Sequence, residues 1–170
     1  WLKKMPVIDI ICISSGFVMR AISGTVVLHV NISPWLLLCT FLLALFLGLC
    51  KRRHEKLLLH GIDLHHRAVL ALYDNKLLDQ LIAICSSAVI VCYAIYTLWP
   101  ETIHKFGTSA LGFTIPFVMF GIFRYLDLVY RHNKGGQPEQ ILITDIPLIL
   151  NIVLYAIVTM LILAYHSIIK

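Results

Sequence analysis

The sequence predicts an all-α, polytopic membrane protein, and three observations carry that prediction. Hydrophobic residues make up 59% of the 170-residue chain, charged residues only 14%, and the mean hydropathy is +0.87. A soluble domain carries nearer a quarter charged residues. Five long apolar stretches recur along the chain, and a helix needs roughly 20 apolar residues to cross the hydrocarbon core with every backbone amide paired.

The first span is expected over Val7–Val30, with a turn at 31–34. The second, Trp35–Cys50, is nearly pure Leu, Phe and Ala and stops at Lys51-Arg52-Arg53. A polar segment is expected over 51–80, then a third span over Leu81–Leu98 and a loop over Pro100–Lys105. The fourth span runs over Ser109–Tyr130 with a kink expected at Pro116. Gly135, Gly136 and Pro138 mark a loop before the fifth span, Ile143–Tyr165. A single membrane-embedded domain over 1–170 accounts for all of these, without internal repeats.

Lys3, Lys4, Lys51, Arg52, Arg53, Lys56, Arg67, Lys76, Arg131 and Lys134 fall on one side of this topology, and Lys105 and Lys170 on the other. Basic residues gather on cytoplasmic loops, so the first group is expected to face the cytoplasm and the C-terminus the outside. Trp35, Tyr96, Trp99 and Tyr165 then lie at outer span ends, where aromatic residues anchor at the interface. The net charge of +5 does not by itself distinguish this topology signal from acidic substrates. The chain opens with Trp1 and no signal-peptide pattern follows, which reads as a fragment or a protein missing its beginning.

Asp9 and Arg20 stand in the first span, eleven residues apart and so on one helix face, with Gly16 on that face and Gly24 near it. That stripe suits a helix lining a polar cavity, and the alternative is an interfacial Asp9 with Arg20 paired inside the bundle. The two are roughly 16 Å apart along the axis, too far to pair, so Arg20 calls for a phosphate or a carboxylate on another helix. If the second helix continues past Cys50, Lys51 and Arg52 each lie one turn from Glu55, which holds the cations toward one point where phosphate oxygens bind. Ordinary positive-inside flanking with a solvated ion pair explains the same residues.

Arg124 and Asp127, one turn apart, are either a structural pair or part of the same phosphate-facing rim. Asp74 reads as an N-cap, and Glu139 and Asp145 as acids favoured at the start of the last helix. The five cysteines, Cys12, Cys39, Cys50, Cys85 and Cys92, contain no CxxC pair and read as packing residues. His54, His60, His65 and His66 near Asp63 fit a solvated segment better than zinc, since no HExxH or Cys/His alternation is present. No DxxD or DxxxD pair exists, so a carboxylate-rich magnesium–diphosphate site is not built from these residues alone.

Several of these segments resemble the UbiA superfamily of membrane prenyltransferases, in particular its decaprenyl-phosphate phosphoribosyltransferase branch. They are Leu2-Lys3, Pro6-Val7-Ile8-Asp9-Ile10 and Ser15-Gly16-Phe17-Val18-Met19-Arg20-Ala21-Ile22-Ser23-Gly24. Trp35-Leu36-Leu37-Leu38 leading to Lys51-Arg52-Arg53-His54-Glu55 matches a KRxxE segment, and Phe123-Arg124-Tyr125, Gly136, Pro138-Glu139, Asp145 and Pro147 match the C-terminal pattern.

The resemblance implies a nine-helix bundle, of which this chain supplies helices five to nine, around a cavity open to the cytoplasm and to lipid. It implies a multi-pass plasma-membrane enzyme that moves 5-phosphoribose from phosphoribosyl diphosphate to a polyprenyl phosphate for cell-envelope polysaccharide precursors. Magnesium is implied, held by an NDxxDxxxD motif on an earlier helix, and a YxxxK signature would end at Lys3. No nucleic-acid partner is implied, and the oligomeric state stays open. Carried over residue by residue, Lys51 and Arg52 clamp phosphate, Glu55 orients them, Lys3, Asp9 and Arg20 line the cavity, and Arg124 is a further candidate. Other UbiA-type enzymes prenylate aromatic rings and carry a second aspartate-rich motif where this chain has Lys51, Arg52 and Glu55. A non-enzymatic membrane subunit, a transporter fragment or an inactive fragment is the reading from other classes.

Overall fold

The computed structural model describes residues 7–29, 33–59, 74–131 and 135–169, without the side chains of 59 and 166–169. Every regular element among them is helical: α1 (Ile8–Leu28), α2 (Pro34–Leu59), α3 (Asn75–Leu98), α4 (Pro100–Phe106), a 3-10 turn (Ala110–Thr114), α5 (Ile115–Arg131), α6 (Pro138–Thr144) and α7 (Ile146–Ile169). Five of these segments are long and apolar enough to cross a membrane: α1, α2, α3, the turn joined to α5, and α7. The all-α polytopic bundle expected from composition is the observed architecture.

Helix α1 packs on α2, α2 on α3, α3 on α5, and α5 on α7, so neighbours in sequence are neighbours in space. A core of Phe46, Leu49, Leu78, Ile82, Val129 and their neighbours is sealed at the α2–α5 seam by an edge-to-face contact of Phe46 with Tyr125, at 5.4 Å between centroids. The outward faces are apolar too. In α7, of mean hydropathy 2.6, only 6% of the span is buried, so most of its Leu, Ile and Val side chains face away from the other described helices.

The structure corrects or refines four local expectations. Helix α2 does not stop at Cys50 but continues to Leu59, because Lys, Arg and Glu are good helix formers and leaving the bilayer does not end a helix. The 51–80 segment is therefore helical at both ends, with 60–73 outside the described residues. Pro100–Lys105 is not a loop: Pro100 occupies the first position of α4, where its missing N–H is harmless. Pro116 sits in the first turn of α5, directly after the 3-10 turn and where the fourth span changes from 3-10 to α-helix. Asp74 takes the N-cap position of α3 in extended conformation, yet its side chain makes no capping bond and only its carbonyl accepts Leu78 N–H.

Candidate functional site

The start of α1, the end of α2, the start of α3, the end of α5 and the start of α7 all lie at one end of the bundle. Alternating helix direction makes this so, and it gathers charges that are far apart in sequence. Their geometry sorts them into three groups.

The first joins α1 to α2. The Arg52 guanidinium lies 3.2 Å from Asp9 through Nε, and its Nη1 donates to Glu55 at 2.6 Å. All three side chains are about four-fifths buried, so water screens the pairs less than at an open surface. Two carboxylates, Asp9 and Glu55, thus hold the Arg52 guanidinium from two sides. Glu55 does not hold Lys51 in the same way. Lys51 is exposed, and no described carboxylate lies within ion-pair distance of it. Of the two cations, Arg52 is held by two carboxylates and Lys51 is exposed beside it.

The second group joins α2, α3 and α5. Arg53 Nε donates to Asp79 at 2.8 Å, Tyr130 Oη donates to the same carboxylate at 2.9 Å, and the guanidinium lies 4.1 Å over the Tyr130 ring. Arg53 Nη1 and His54 Nδ1 are buried without a hydrogen-bond partner among the described residues. A buried polar atom left unpaired is costly, so these two atoms mark where the described residues leave a hydrogen bond to be made. Gly135 and Gly136 press against the same turn: a Cβ on Gly135 would stand 2.9 Å from the Cys50 carbonyl, and one on Gly136 would collide with the His54 ring.

The third group is Arg124, which donates to Asp145 through Nε at 3.1 Å and Nη2 at 2.9 Å, and to Asp127 through Nη1 at 3.1 Å. Asp145 in turn caps α7, accepting Leu148 N–H at 3.0 Å. Arg124 is a bidentate strut between α5 and α7, which favours the structural side of the alternative left open for it.

Arg20 does not join these residues. It is exposed on α1, its guanidinium 5.6 Å from the Phe17 ring one turn back, and no described carboxylate pairs with it. Nothing lies within 4 Å of a Cβ placed on Gly16 or Gly24, so that face of α1 meets no described helix. Lys3, His60, Asp63, His65 and His66 lie outside the described residues. Sequence reasoning missed Arg53 with Asp79 and Tyr130, and the Arg124–Asp145 bridge; both link helices, and no local spacing signals them.

The described residues do not fit the magnesium ion that the resemblance implies. Asp9, Glu55, Asp79, Asp127 and Asp145 are each held by an arginine, and no three described His, Cys, Asp or Glu side chains converge on a point.

An apolar cavity of about 400 Å³ lies between α2, α3, α5 and α7, lined along α2 from Leu36 to Leu47 and closed around by Val118, Ile122 and Leu148. Its near end on α2 is five residues before Arg52, roughly 7.5 Å along the axis. Tyr125 lines it, with a buried hydroxyl that has no partner among the described residues. Tyr93 bonds Thr114 at 2.7 Å and Tyr155 at 3.0 Å, fixing the helices around it.

The chain is 33% identical over 147 residues to the decaprenyl-phosphate phosphoribosyltransferase of Corynebacterium glutamicum, a match covering 84% of this chain and 43% of that protein. It is 28% identical over 155 residues to the protein of that name from Mycolicibacterium smegmatis, covering 85% of this chain and 47% of the relative. For the Mycobacterium tuberculosis protein the values are 29% over 146 residues, 85% and 46%. No family model matches the chain. The resemblance read from the motifs is therefore shown along most of this chain, while the chain spans less than half the length of the relatives it matches.

Proposed function

We propose that this chain forms the C-terminal part of a membrane transferase that moves 5-phosphoribose from phosphoribosyl diphosphate onto a polyprenyl phosphate at the cytoplasmic face of the plasma membrane. The observation that carries the reading is Arg52, fixed by Asp9 and Glu55 beside the exposed Lys51, within about two turns of an apolar cavity. A donor rich in phosphate and an acceptor with a phosphate head and an apolar chain need that juxtaposition. The relatives' names give a decaprenyl phosphate and a phosphoribosyl group, which supports this reading.

In the reaction, a phosphate oxygen of the lipid forms a bond to ribose C1 as the bond from C1 to the diphosphate breaks, and the diphosphate leaves with the electron pair. Negative charge grows on the departing oxygens. Arg52, already oriented, meets that charge without rearranging, and Lys51 follows the phosphates as they move. The apolar cavity takes part of the lipid chain and sets the depth of its phosphate.

Membranes from cells expressing the gene should transfer label from ribose-labelled phosphoribosyl diphosphate to decaprenyl phosphate, giving an acid-labile lipid product. Transfer from a prenyl diphosphate to an aromatic acid instead would replace this reading with aromatic prenylation.

A further inference from the structure

A second recess lies at the opposite end of the bundle, between the end of α1, the start of α2 and the short helix α4. Its volume is about 650 Å³, and its wall includes Thr25, His29, Ser33, Glu101, Thr102, His104 and Lys105. From Asp9 to Thr25 the rise along α1 is roughly 24 Å, so it is separate from the arginine cluster. Two hydroxyls in its wall are unspent: Thr102 Oγ1 and Ser33 Oγ are buried with no hydrogen-bond partner among the described residues, and Thr102 is only 3% exposed. Among the described residues, then, both hydroxyls have a hydrogen bond still to make, and a buried polar group left unpaired is costly.

We infer that this recess binds the phosphodiester headgroup of a glycerophospholipid whose head ends in a hydrogen-bond donor. Three features select that chemistry. Thr102 and Ser33 supply O–H donors at the buried side, while Lys105, His104 and His29 supply cationic or N–H donors at the rim, a set that matches phosphate oxygens. Glu101 is the one carboxylate in the wall among the described residues; it opposes an anion beside it but accepts from a glycerol hydroxyl or an ethanolamine ammonium one step further along the head. The depth is that of a headgroup: α1, α2 and α3 end here, and Trp35 and Trp99 pair beside them at 5.1 Å between centroids, as interfacial aromatics do. Leu36, Tyr96 and Phe106 complete the apolar side, toward the acyl chains.

The test is native mass spectrometry of the purified protein released from detergent micelles containing phosphatidylglycerol, phosphatidylethanolamine or phosphatidylcholine, with inorganic phosphate as a separate arm. One phosphatidylglycerol or phosphatidylethanolamine is expected per protein, held more tightly than phosphatidylcholine, whose head ends in no donor. Thr102→Val and Lys105→Ala should each weaken retention about tenfold, and Glu101→Gln should reduce the preference over phosphatidylcholine. Retention unchanged in both Thr102→Val and Lys105→Ala overturns the site. Binding of inorganic phosphate with no lipid retained overturns the lipid as its source.

Discussion

Lys51 and Arg52 are adjacent in sequence but physically unlike, and substitution should separate them. Lys51 has no described ion pair to lose, so Lys51→Ala should leave thermal unfolding of the detergent-solubilised protein unchanged. Its KM for phosphoribosyl diphosphate should rise about tenfold, the value of one charge-assisted hydrogen bond. Arg52→Ala removes the guanidinium that Asp9 and Glu55 share, both about four-fifths buried, at a cost between that of an exposed pair and a buried one, about 1–2 kcal/mol. It should therefore lower both stability and turnover. Equal effects of the two substitutions on stability would show that Arg52 is no more fixed than Lys51. What the sequence made legible here was local. The Arg52–Glu55 and Arg124–Asp127 pairs follow from one helical turn, whereas Asp9–Arg52, Arg53–Asp79 and Arg124–Asp145 depend on how helices cross, which no spacing encodes.

The crossing of α1 over α2 decides whether Asp9 reaches Arg52, and Gly48 permits that crossing. A Cβ on Gly48 would lie 2.7 Å from Cγ2 of Ile10, itself 1% exposed and next to Asp9 in sequence. Gly48→Ala should force the helices apart, costing about 1–3 kcal/mol as other overpacking does. Ile10→Ala removes the obstructing methyl, so the double variant should be less destabilised than the sum of the singles. Additive losses in a thermal-unfolding cycle would remove Gly48 from this role. Helices themselves were legible because hydropathy over some 20 residues is a collective signal. Their ends were not: the polar residues after Cys50 marked where the chain leaves lipid, and the helix ran on for nine residues past that point. Proline misled for a related reason, since at a first turn it starts a helix and only further in does it bend one.

Among the described helices, four surround the apolar cavity, and it is the feature least visible in the sequence, because its lining comes from mostly apolar positions scattered between Leu36 and Tyr155 that no spacing links. If it seats part of the lipid acceptor, its shape governs chain length independently of the phosphate chemistry at the bundle end. Gly121 on α5 gives a means of separating the two: it lines the cavity, and a Cβ there would sit 3.4 Å from Asn151 Nδ2, an ordinary contact, so a larger side chain enters without first displacing backbone. Gly121→Leu should occupy space that long chains use and cost them the burial of a few methylenes, each worth about 0.8 kcal/mol. KM for decaprenyl phosphate should therefore rise at least about tenfold. KM for a short-chain prenyl phosphate, and for phosphoribosyl diphosphate, should stay within about twofold, because Arg52 and Lys51 are untouched. A parallel rise for long and short acceptors would mean that the chain lies elsewhere, and the cavity would then be a packing defect of the bundle and no part of acceptor recognition.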